Sequence, residues 1–142
     1  LEVDHLKMRN FLTLSGGEKQ RVHFARVLAQ IWEPPTVGNR LLLLDEPVSF
    51  LDLKHQMHLL HHIRKITDAH TVIILIMHDL NLVLNYADEV LLISDGALKA
   101  KGKPYDVLTP TNIETVFGQQ VHIMEQGNHR WIWPVTTLDN LD

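Results

Sequence analysis

The sequence predicts an α/β domain with a parallel sheet and crossover helices. Two short apolar runs, Leu41 to Leu44 and Thr71 to Met77, have the length and composition of buried strands in such a sheet. An amphipathic stretch separates them, and parallel neighbours need a crossover of that kind. A third run, Glu89 to Ser94, follows a further short helical stretch. The order strand, helix, strand, helix, strand therefore predicts parallel pairing.

The composition fits a globular domain and argues against several classes of protein. Of the 142 residues, 45% are hydrophobic and 21% are charged, and no run approaches the roughly 18 apolar residues of a membrane span. The formal net charge of −4, with both signs interspersed, argues against a nucleic-acid partner, which usually demands a basic face. The absence of cysteine excludes disulfides and thiolate metal sites.

Two helices are predicted in the first half of the chain. They follow Leu1 to Leu14, which are predicted to be the end of a helical segment and a connector. The first helix begins after Ser15, and Pro34-Pro35 ends it. Its apolar positions recur at helical spacing: Val22, Ala25, Leu28, Ala29 and Trp32. Asp52 caps the second helix, predicted over Leu53 to Thr67, whose inner face is Met57, Leu60 and Ile63.

Short elements are predicted in the second half. Asp95-Gly96 is a two-residue hairpin turn between Glu89 to Ser94 and Ala97 to Lys101. The other predicted elements are helices at Asp79 to Ala87, Pro104 to Leu108 and Thr111 to Phe117, and a hairpin that pairs Gln120 to Glu125 with Arg130 to Pro134.

The segment Leu14-Ser15-Gly16-Gly17-Glu18, followed by Gln20-Arg21, has the character of a phosphate-recognition device. Two glycines before a helix let backbone N–H groups approach an anion, and the helix N-terminus adds partial positive charge. Ser15 adds a hydroxyl donor. The alternative interpretation is a glycine turn with a serine cap.

Polar side chains end both predicted strands. Of the adjacent carboxylates Asp45 and Glu46, one can hold Mg²⁺ while the other orients water; alternatively, both are solvated acids in a turn. His78 ends the second strand and could contact a phosphate, or be a hydrogen-bonded bystander. Ligands collect at the carboxyl ends of parallel strands, and all three residues lie there.

Together these segments resemble, in order and spacing, the C-terminal half of ATP-binding-cassette (ABC) ATPases. The resemblance implies ATP and Mg²⁺ as cofactors and a head-to-tail dimer of two ATPase subunits. The signature loop, which contacts ATP held by the opposite subunit, would be Ser15, Gly16, Gly17 and Glu18. Asp45 would hold Mg²⁺ at the end of the Walker B strand, Leu41 to Asp45. Glu46 would be the general base and His78 the switch histidine.

The resemblance also implies an assembly around a membrane importer. Ser49, Leu51 and Asp52 would belong to the D-loop, which communicates across the dimer. The remaining partners would be transmembrane permease subunits and, indirectly, a substrate-binding protein. The ATPase would be peripheral, at the cytoplasmic face of the bacterial inner membrane.

One family motif does not occur in these residues: the phosphate loop G-x-x-x-x-G-K-[ST]. The family places it upstream, so we expect this chain to be the C-terminal portion of the domain, with the N-terminal portion missing. Residues 1–32 would then be part of the signature-bearing helical subdomain, 40–102 the core from Walker B to the switch histidine, and 103–142 a C-terminal extension. The chain alone should hydrolyse ATP negligibly, and its uncovered sheet edge should favour aggregation.

Within the family, His78-Asp79-Leu80-Asn81-Leu82 and Tyr86-Ala87-Asp88 resemble the branch that imports iron chelates, heme and cobalamin. Leu108-Thr109-Pro110 and Val116-Phe117-Gly118 resemble the heme importers in particular. A siderophore or cobalamin importer is the alternative. Two further alternatives are a non-hydrolytic fragment that supplies only the signature loop to a partner, and a soluble cassette protein of translation or DNA repair.

Two groups of side chains invite other functions. The second helix carries His55, His58, His61 and His62, and we expect them to be partly solvated residues on its outer face rather than a metal site. Trp131 and Trp133 alternate with Ile132, and we expect them to pack against the domain rather than form an exposed patch.

Overall fold

The computed structural model describes residues 1–33, 36–127 and 129–135. Their contacts group into two compact units, Leu1–His78 and the part from Asp79 onward. Each unit is described by itself. No helix among the described residues has the length and apolar character that crossing a membrane requires.

The first unit contains two helices and two strands after a pair of short 3₁₀ turns. In chain order the elements are α1 (Gly16–Gln30), β1 (Arg40–Asp45), α2 (Leu53–Ile66) and β2 (Thr71–Ile76). The 3₁₀ turns, Asp4–Leu6 and Phe11–Thr13, occupy the predicted connector. Each predicted helix and strand of this half is therefore present, with small differences at the ends.

Strands β1 and β2 pair in parallel, in register from Arg40 opposite Thr71 to Asp45 opposite Ile76, which confirms the predicted parallel pairing. The prediction that both strands are buried holds for one face only, where Leu42 and Leu44 are buried. The other face is exposed and consists of Leu41, Leu43, Val72, Ile74 and Ile76.

The buried side chains of the two helices in the first unit differ in part from those that the sequence pattern predicts. On α1 the buried side chains are Phe24 and Leu28, whereas Trp32 lies beyond the end of the helix and is 75% exposed. On α2 the buried side chains are Leu59, Leu60 and Ile63, and the predicted Met57 is half-buried. Asp52 caps α2 as predicted, because its carboxylate accepts a hydrogen bond from the His55 backbone N–H.

The second unit consists of short helices and two antiparallel hairpins. Its elements are α3 (Leu80–Tyr86), β3 (Val90–Ser94), β4 (Ala97–Gly102), α4 (Pro104–Val107), α5 (Pro110–Phe117), β5 (Val121–Gln126) and β6 (His129–Pro134). Across the described residues β3 pairs with β4 alone, so the third strand of the predicted order is not part of the parallel sheet. The core of the unit gathers Leu84, Val90, Leu92, Val107, Leu108, Ile113, Val121 and Ile132.

One polar side chain of α3 forms hydrogen bonds with the last hairpin, β5 with β6. Asn81 donates to the Ile132 carbonyl oxygen and accepts from the Ile132 N–H, at 3.1 and 2.8 Å. Ile132 faces the core, and its neighbours Trp131 and Trp133 are 41% and 62% exposed. The prediction that the tryptophans pack against the domain is therefore wrong, because the strand alternation that buries Ile132 turns both of them outward.

Candidate functional site

The predicted catalytic residues meet at the carboxyl edge of the β1–β2 sheet. Glu46 follows β1 directly, and its backbone N–H donates to the Ile76 carbonyl oxygen at 3.0 Å, which extends the parallel ladder by one bond. His78 lies two positions beyond the end of β2. The His78 Nε2 and Glu46 Oε1 atoms are 2.6 Å apart, so the two side chains form a pair at this edge.

Both oxygens of the Glu46 carboxylate are engaged. Oε1 contacts His78, and Oε2 accepts a hydrogen bond from the Ser49 hydroxyl at 2.9 Å. The hydrogen bond from His78, and after it the one from Ser49, lowers the pKa of Glu46 below its ordinary value of 4.5. Glu46 is therefore ionised at neutral pH, and because a carboxylate only accepts, the His78 Nε2 atom donates.

The backbone between β1 and α2 is strained at two non-glycine residues. Glu46 has φ of 44° and Phe50 has φ of 66°, both in the left-handed region that side chains disfavour. Such strain clusters at functional sites, where surrounding contacts hold it in place. Here the strain turns the chain sharply at the end of β1 and directs the Glu46 carboxylate toward His78.

Asp45 is exposed at the last position of β1, next to Glu46. Its carboxylate has no hydrogen bond or ion pair with another described side chain. Residues 1–33, 36–127 and 129–135 hold no group of three or more acidic, histidine or cysteine side chains that could enclose a metal ion. An exposed single carboxylate fits Mg²⁺, which proteins often hold through one or two carboxylates while water and phosphate oxygens complete its shell.

The predicted signature segment forms the N-terminus of α1. Ser15 and Glu18 make a reciprocal capping box: the Ser15 N–H donates to Glu18 Oε2 at 2.7 Å, and the Glu18 N–H donates to Ser15 Oγ at 3.3 Å. Arg9 pairs with the other Glu18 oxygen at 2.9 Å. The Ser15 backbone bond chiefly, and the Ser15 hydroxyl and Arg9 as well, lower the pKa of Glu18. Glu18 thus has a structural role in this chain.

The two signature glycines have different surroundings. A Cβ atom added at Gly16 would meet nothing within 4 Å, whereas one added at Gly17 would lie 3.2 Å from the Phe50 carbonyl oxygen. Gly17 therefore allows α1 to pack closely against the loop between β1 and α2. The packing of this chain does not require glycine at position 16.

The predicted D-loop residues have separate environments. Ser49 bonds to Glu46, Leu51 is 8% exposed and packs inside its own unit, and Asp52 caps α2. Asp52 also contacts the His55 imidazole, whose Nδ1 atom lies 2.8 Å from its Oδ1 atom. The backbone and side-chain hydrogen bonds from His55 lower the pKa of Asp52.

Helix α1 reaches this loop through two side chains that the sequence pattern did not single out for such a role. Gln20 donates to the Pro47 carbonyl oxygen at 3.3 Å, and Arg21 Nη1 lies 3.0 Å from His55 Nε2. His55 was expected to be partly solvated, and its side chain is 22% exposed. A helix-spaced set of histidines gave no signal to distinguish His55 from His58.

The structure thus gathers the predicted residues into two groups. Asp45, Glu46, Ser49 and His78 lie at one sheet edge, while the start of α1 packs against the rest of the loop. Among the described residues, no group of three or more side chains that could hold a metal ion forms around the other histidines of α2. His58 faces Glu2 at 3.7 Å, and His62 contacts the amino group of Leu1 at 3.1 Å.

Known proteins resemble this chain in sequence and in structure, although no family model matches it. It is 45% identical over 130 residues to a hemin import ATP-binding protein, HmuV, of Photobacterium damselae subsp. damselae, covering 91% of this chain and 48% of the relative. It is 52% identical over 122 residues to HmuV of Gloeobacter violaceus, covering 86% and 44%. The chain therefore spans about half the length of these curated relatives.

Solved structures of ABC transporters also resemble this chain. An ABC transporter described as of the metal-chelate type, in an inward-facing conformation, superposes with a TM-score of 0.72 at 28% identity, over 96% of this chain and 53% of that one. For cbiO1 of Clostridium perfringens, part of the ABC transporter complex cbiONQ, the TM-score is 0.56 at 30% identity, over 79% and 42%. In sequence and in fold, this chain is similar to ABC ATP-binding proteins over about half of their length, and its fold is consistent with a C-terminal portion of their ATPase domain.

Proposed function

We propose that these residues are part of the ATPase subunit of an ABC importer that energises uptake of heme or a related iron chelate. The Glu46–His78 pair next to Asp45 is the observation that carries this proposal. At one sheet edge, Glu46 supplies an ionised carboxylate, His78 supplies a hydrogen-bond donor, and Asp45 supplies a free carboxylate. Those are the groups that phosphoryl transfer to water needs from a protein, besides the loop that cradles the phosphates.

Each of the three side chains has a distinct part in hydrolysis. Asp45 would hold Mg²⁺, and the bound ion would neutralise charge on the phosphates. Glu46 accepts the proton of the attacking water, which its ionised state allows. His78 donates from Nε2, and an arriving phosphate competes with Glu46 for that donor. When the phosphate takes it, Glu46 Oε1 becomes available to water.

In the proposed dimer, the signature segment serves a nucleotide held by the second subunit. The N-terminus of α1 provides backbone N–H groups and partial positive charge, and the open space at Gly16 leaves room for a phosphate to approach. Ser15, Gly16 and Gly17 contact ATP of a second, identical subunit in the proposed dimer. Ser49, Leu51 and Asp52 link the two subunits, with the buried Leu51 acting through the position of the loop.

The cargo is proposed from ancestry, since an ATPase subunit does not touch it. The relatives at 45% and 52% identity bear the name hemin import ATP-binding protein. Siderophore or cobalamin uptake is the alternative within the same branch. The proposed partners are transmembrane permease subunits and a substrate-binding protein, with the ATPase peripheral at the cytoplasmic face of the bacterial inner membrane.

The decisive test uses the full-length protein that contains these residues. Glu46→Gln should bind ATP and Mg²⁺ with unchanged affinity, while its steady-state hydrolysis falls by about 10²-fold or more. Glu33→Gln is the matched control, because Glu33 is an exposed acid remote in sequence from the motifs. Wild-type hydrolysis by Glu46→Gln would refute the assignment of the base. Reconstitution with the permease and heme-loaded, siderophore-loaded or cobalamin-loaded binding protein would identify the cargo.

A further inference from the structure

Helix α1 and the D-loop are joined through an imidazole. We propose that His55, as its neutral Nδ1–H tautomer, is a positioning residue that fixes the Asp52 carboxylate to Arg21 of the signature helix. The proposal rests on the function proposed above, because it concerns how two parts of that ATPase stay aligned. It assigns a role to a histidine outside the family motifs.

The partners of His55 determine its tautomer. Asp52 Oδ1 lies 2.8 Å from Nδ1, and a carboxylate only accepts, so Nδ1 carries the proton. Arg21 Nη1 lies 3.0 Å from Nε2, and a guanidinium only donates, so Nε2 is the acceptor. Only the neutral Nδ1–H imidazole satisfies both partners at once.

One more charged group, Glu2, lies near the His55 imidazole. Glu2 lies 3.9 Å from Nε2 and is also 3.6 Å from Lys54 Nζ. Protonated Nε2 would be a donor facing the Arg21 donor, with Glu2 as its remaining acceptor. Protonation would therefore break the link to the signature helix and leave the link to Asp52 in place.

Two further contacts hold helix α1 against the loop between β1 and α2. Gln20, on the same turn of α1 as Arg21, donates to the Pro47 carbonyl oxygen at 3.3 Å. Gly17 lets α1 pack against the Phe50 carbonyl oxygen. The helix thus contacts the loop near its beginning and middle, and the His55 bridge connects it to the end of the loop. A displacement of α1 is transmitted to Asp52.

The first test is the tautomer itself, measured by two-dimensional ¹⁵N NMR on the imidazoles of the full-length protein at neutral pH, without nucleotide. His55 is assigned by the signal that disappears in His55→Asn. A protonated Nδ1 and an unprotonated Nε2 support the bridge. An Nε2–H tautomer, a mixture of tautomers or an imidazolium would overturn it. This readout needs no ATPase activity, so it stands even if the proposed function fails.

The second test is a double-mutant cycle on ATP hydrolysis in the same protein. His55→Asn and Arg21→Gln each remove the bond between Arg21 and His55, and each should lower the maximal rate by about tenfold at an unchanged unfolding midpoint. The double variant should be no slower than either single variant, because all three lack the same bond. Rate losses that multiply would overturn the proposal.

His58→Asn is the matched control, because His58 lies on the same helix and faces Glu2 without touching Asp52 or Arg21. Its hydrolysis should equal that of the wild type. If it slows hydrolysis as much as His55→Asn does, the effect belongs to the histidine face of α2 and the specific bridge is refuted. Absence of hydrolysis in the wild type would refute the proposed function and leave the tautomer measurement to decide the bridge.

Discussion

Glu46 and His78 are 32 positions apart in the chain, and their side chains meet at 2.6 Å. The parallel register of β1 and β2 produces this contact, because it places Asp45 opposite Ile76 and so brings both strand ends to one edge. The left-handed backbone of Glu46 then turns its carboxylate toward the imidazole. The pair is therefore a direct consequence of strand order and of one strained residue.

The first prediction concerns what His78 does to Glu46. In His78→Ala the pKa of Glu46 should rise toward 4.5, because the largest contribution to its lowering is lost while the Ser49 bond remains. Ser49→Ala should raise the pKa by a smaller amount. Titration of the labelled glutamate carboxyl carbon by NMR measures both shifts. A larger rise in Ser49→Ala than in His78→Ala would contradict the assigned order.

The second prediction is loss of stability in acid. Asp68 has a pKa lowered from 3.8, mainly by the Thr71 hydroxyl and the His70 backbone N–H, with Arg40 also contributing. The pKa of Asp68 is lower in the folded than in the unfolded state, so the ionised carboxylate stabilises the folded protein. This stabilisation is complete above about pH 4 and is lost as the pH falls through the folded-state pKa. Urea unfolding of the wild type at pH 5 and pH 3 should show this loss. In Asp68→Asn the difference between the two pH values should be smaller.

The sequence identified the elements and motifs well because their signals are local. The strands, the Asp52 cap and the residues at the strand ends follow from periodicity, turn residues and the rule that parallel strands share an edge. Contacts between residues that are distant in the sequence could not be predicted in this way. The pairing of Glu46 with His78 depends on side-chain orientation, and the role of His55 depends on Arg21, 34 positions earlier. The exposure of Trp131 and Trp133 depends on which face of the last hairpin meets the core.

The third prediction separates the two signature glycines. Gly17→Ala should destabilise the protein by about 1 kcal/mol, because the new methyl group would crowd the Phe50 carbonyl oxygen at 3.2 Å. Gly16→Ala should leave stability unchanged or slightly higher, since it has open space and alanine favours helices. Thermal unfolding of both variants measures the difference. Equal destabilisation by the two substitutions would contradict the packing described for α1.

If position 16 faces a phosphate of the second subunit, Gly16→Ala should still slow ATP hydrolysis in the full-length protein. The variant would then combine normal stability with reduced turnover. Normal hydrolysis in Gly16→Ala would show that no ligand needs the space at this glycine, and the proposed contact in trans would fail.

The last prediction concerns the exposed face of the β1–β2 sheet. Leu43 and Ile74 are register partners on that face, 65% and 44% exposed, and they adjoin Leu41, Val72 and Ile76. Contiguous apolar surface of this kind drives association or binds hydrophobic dyes. The 142-residue chain should therefore self-associate and enhance the fluorescence of anilinonaphthalene sulfonate.

The double variant Leu43→Lys with Ile74→Glu should sediment as a smaller species and bind less dye, because it places two charges in the middle of the face. Leu98→Lys is the matched control: it also replaces an exposed leucine, 56% exposed on β4, in the other unit. Sedimentation velocity measures the association of all three proteins. If Leu98→Lys reduces association as much as the double variant, the sheet face is not its cause. A smaller effect of Leu98→Lys would assign the association to the surface that β1 and β2 present together.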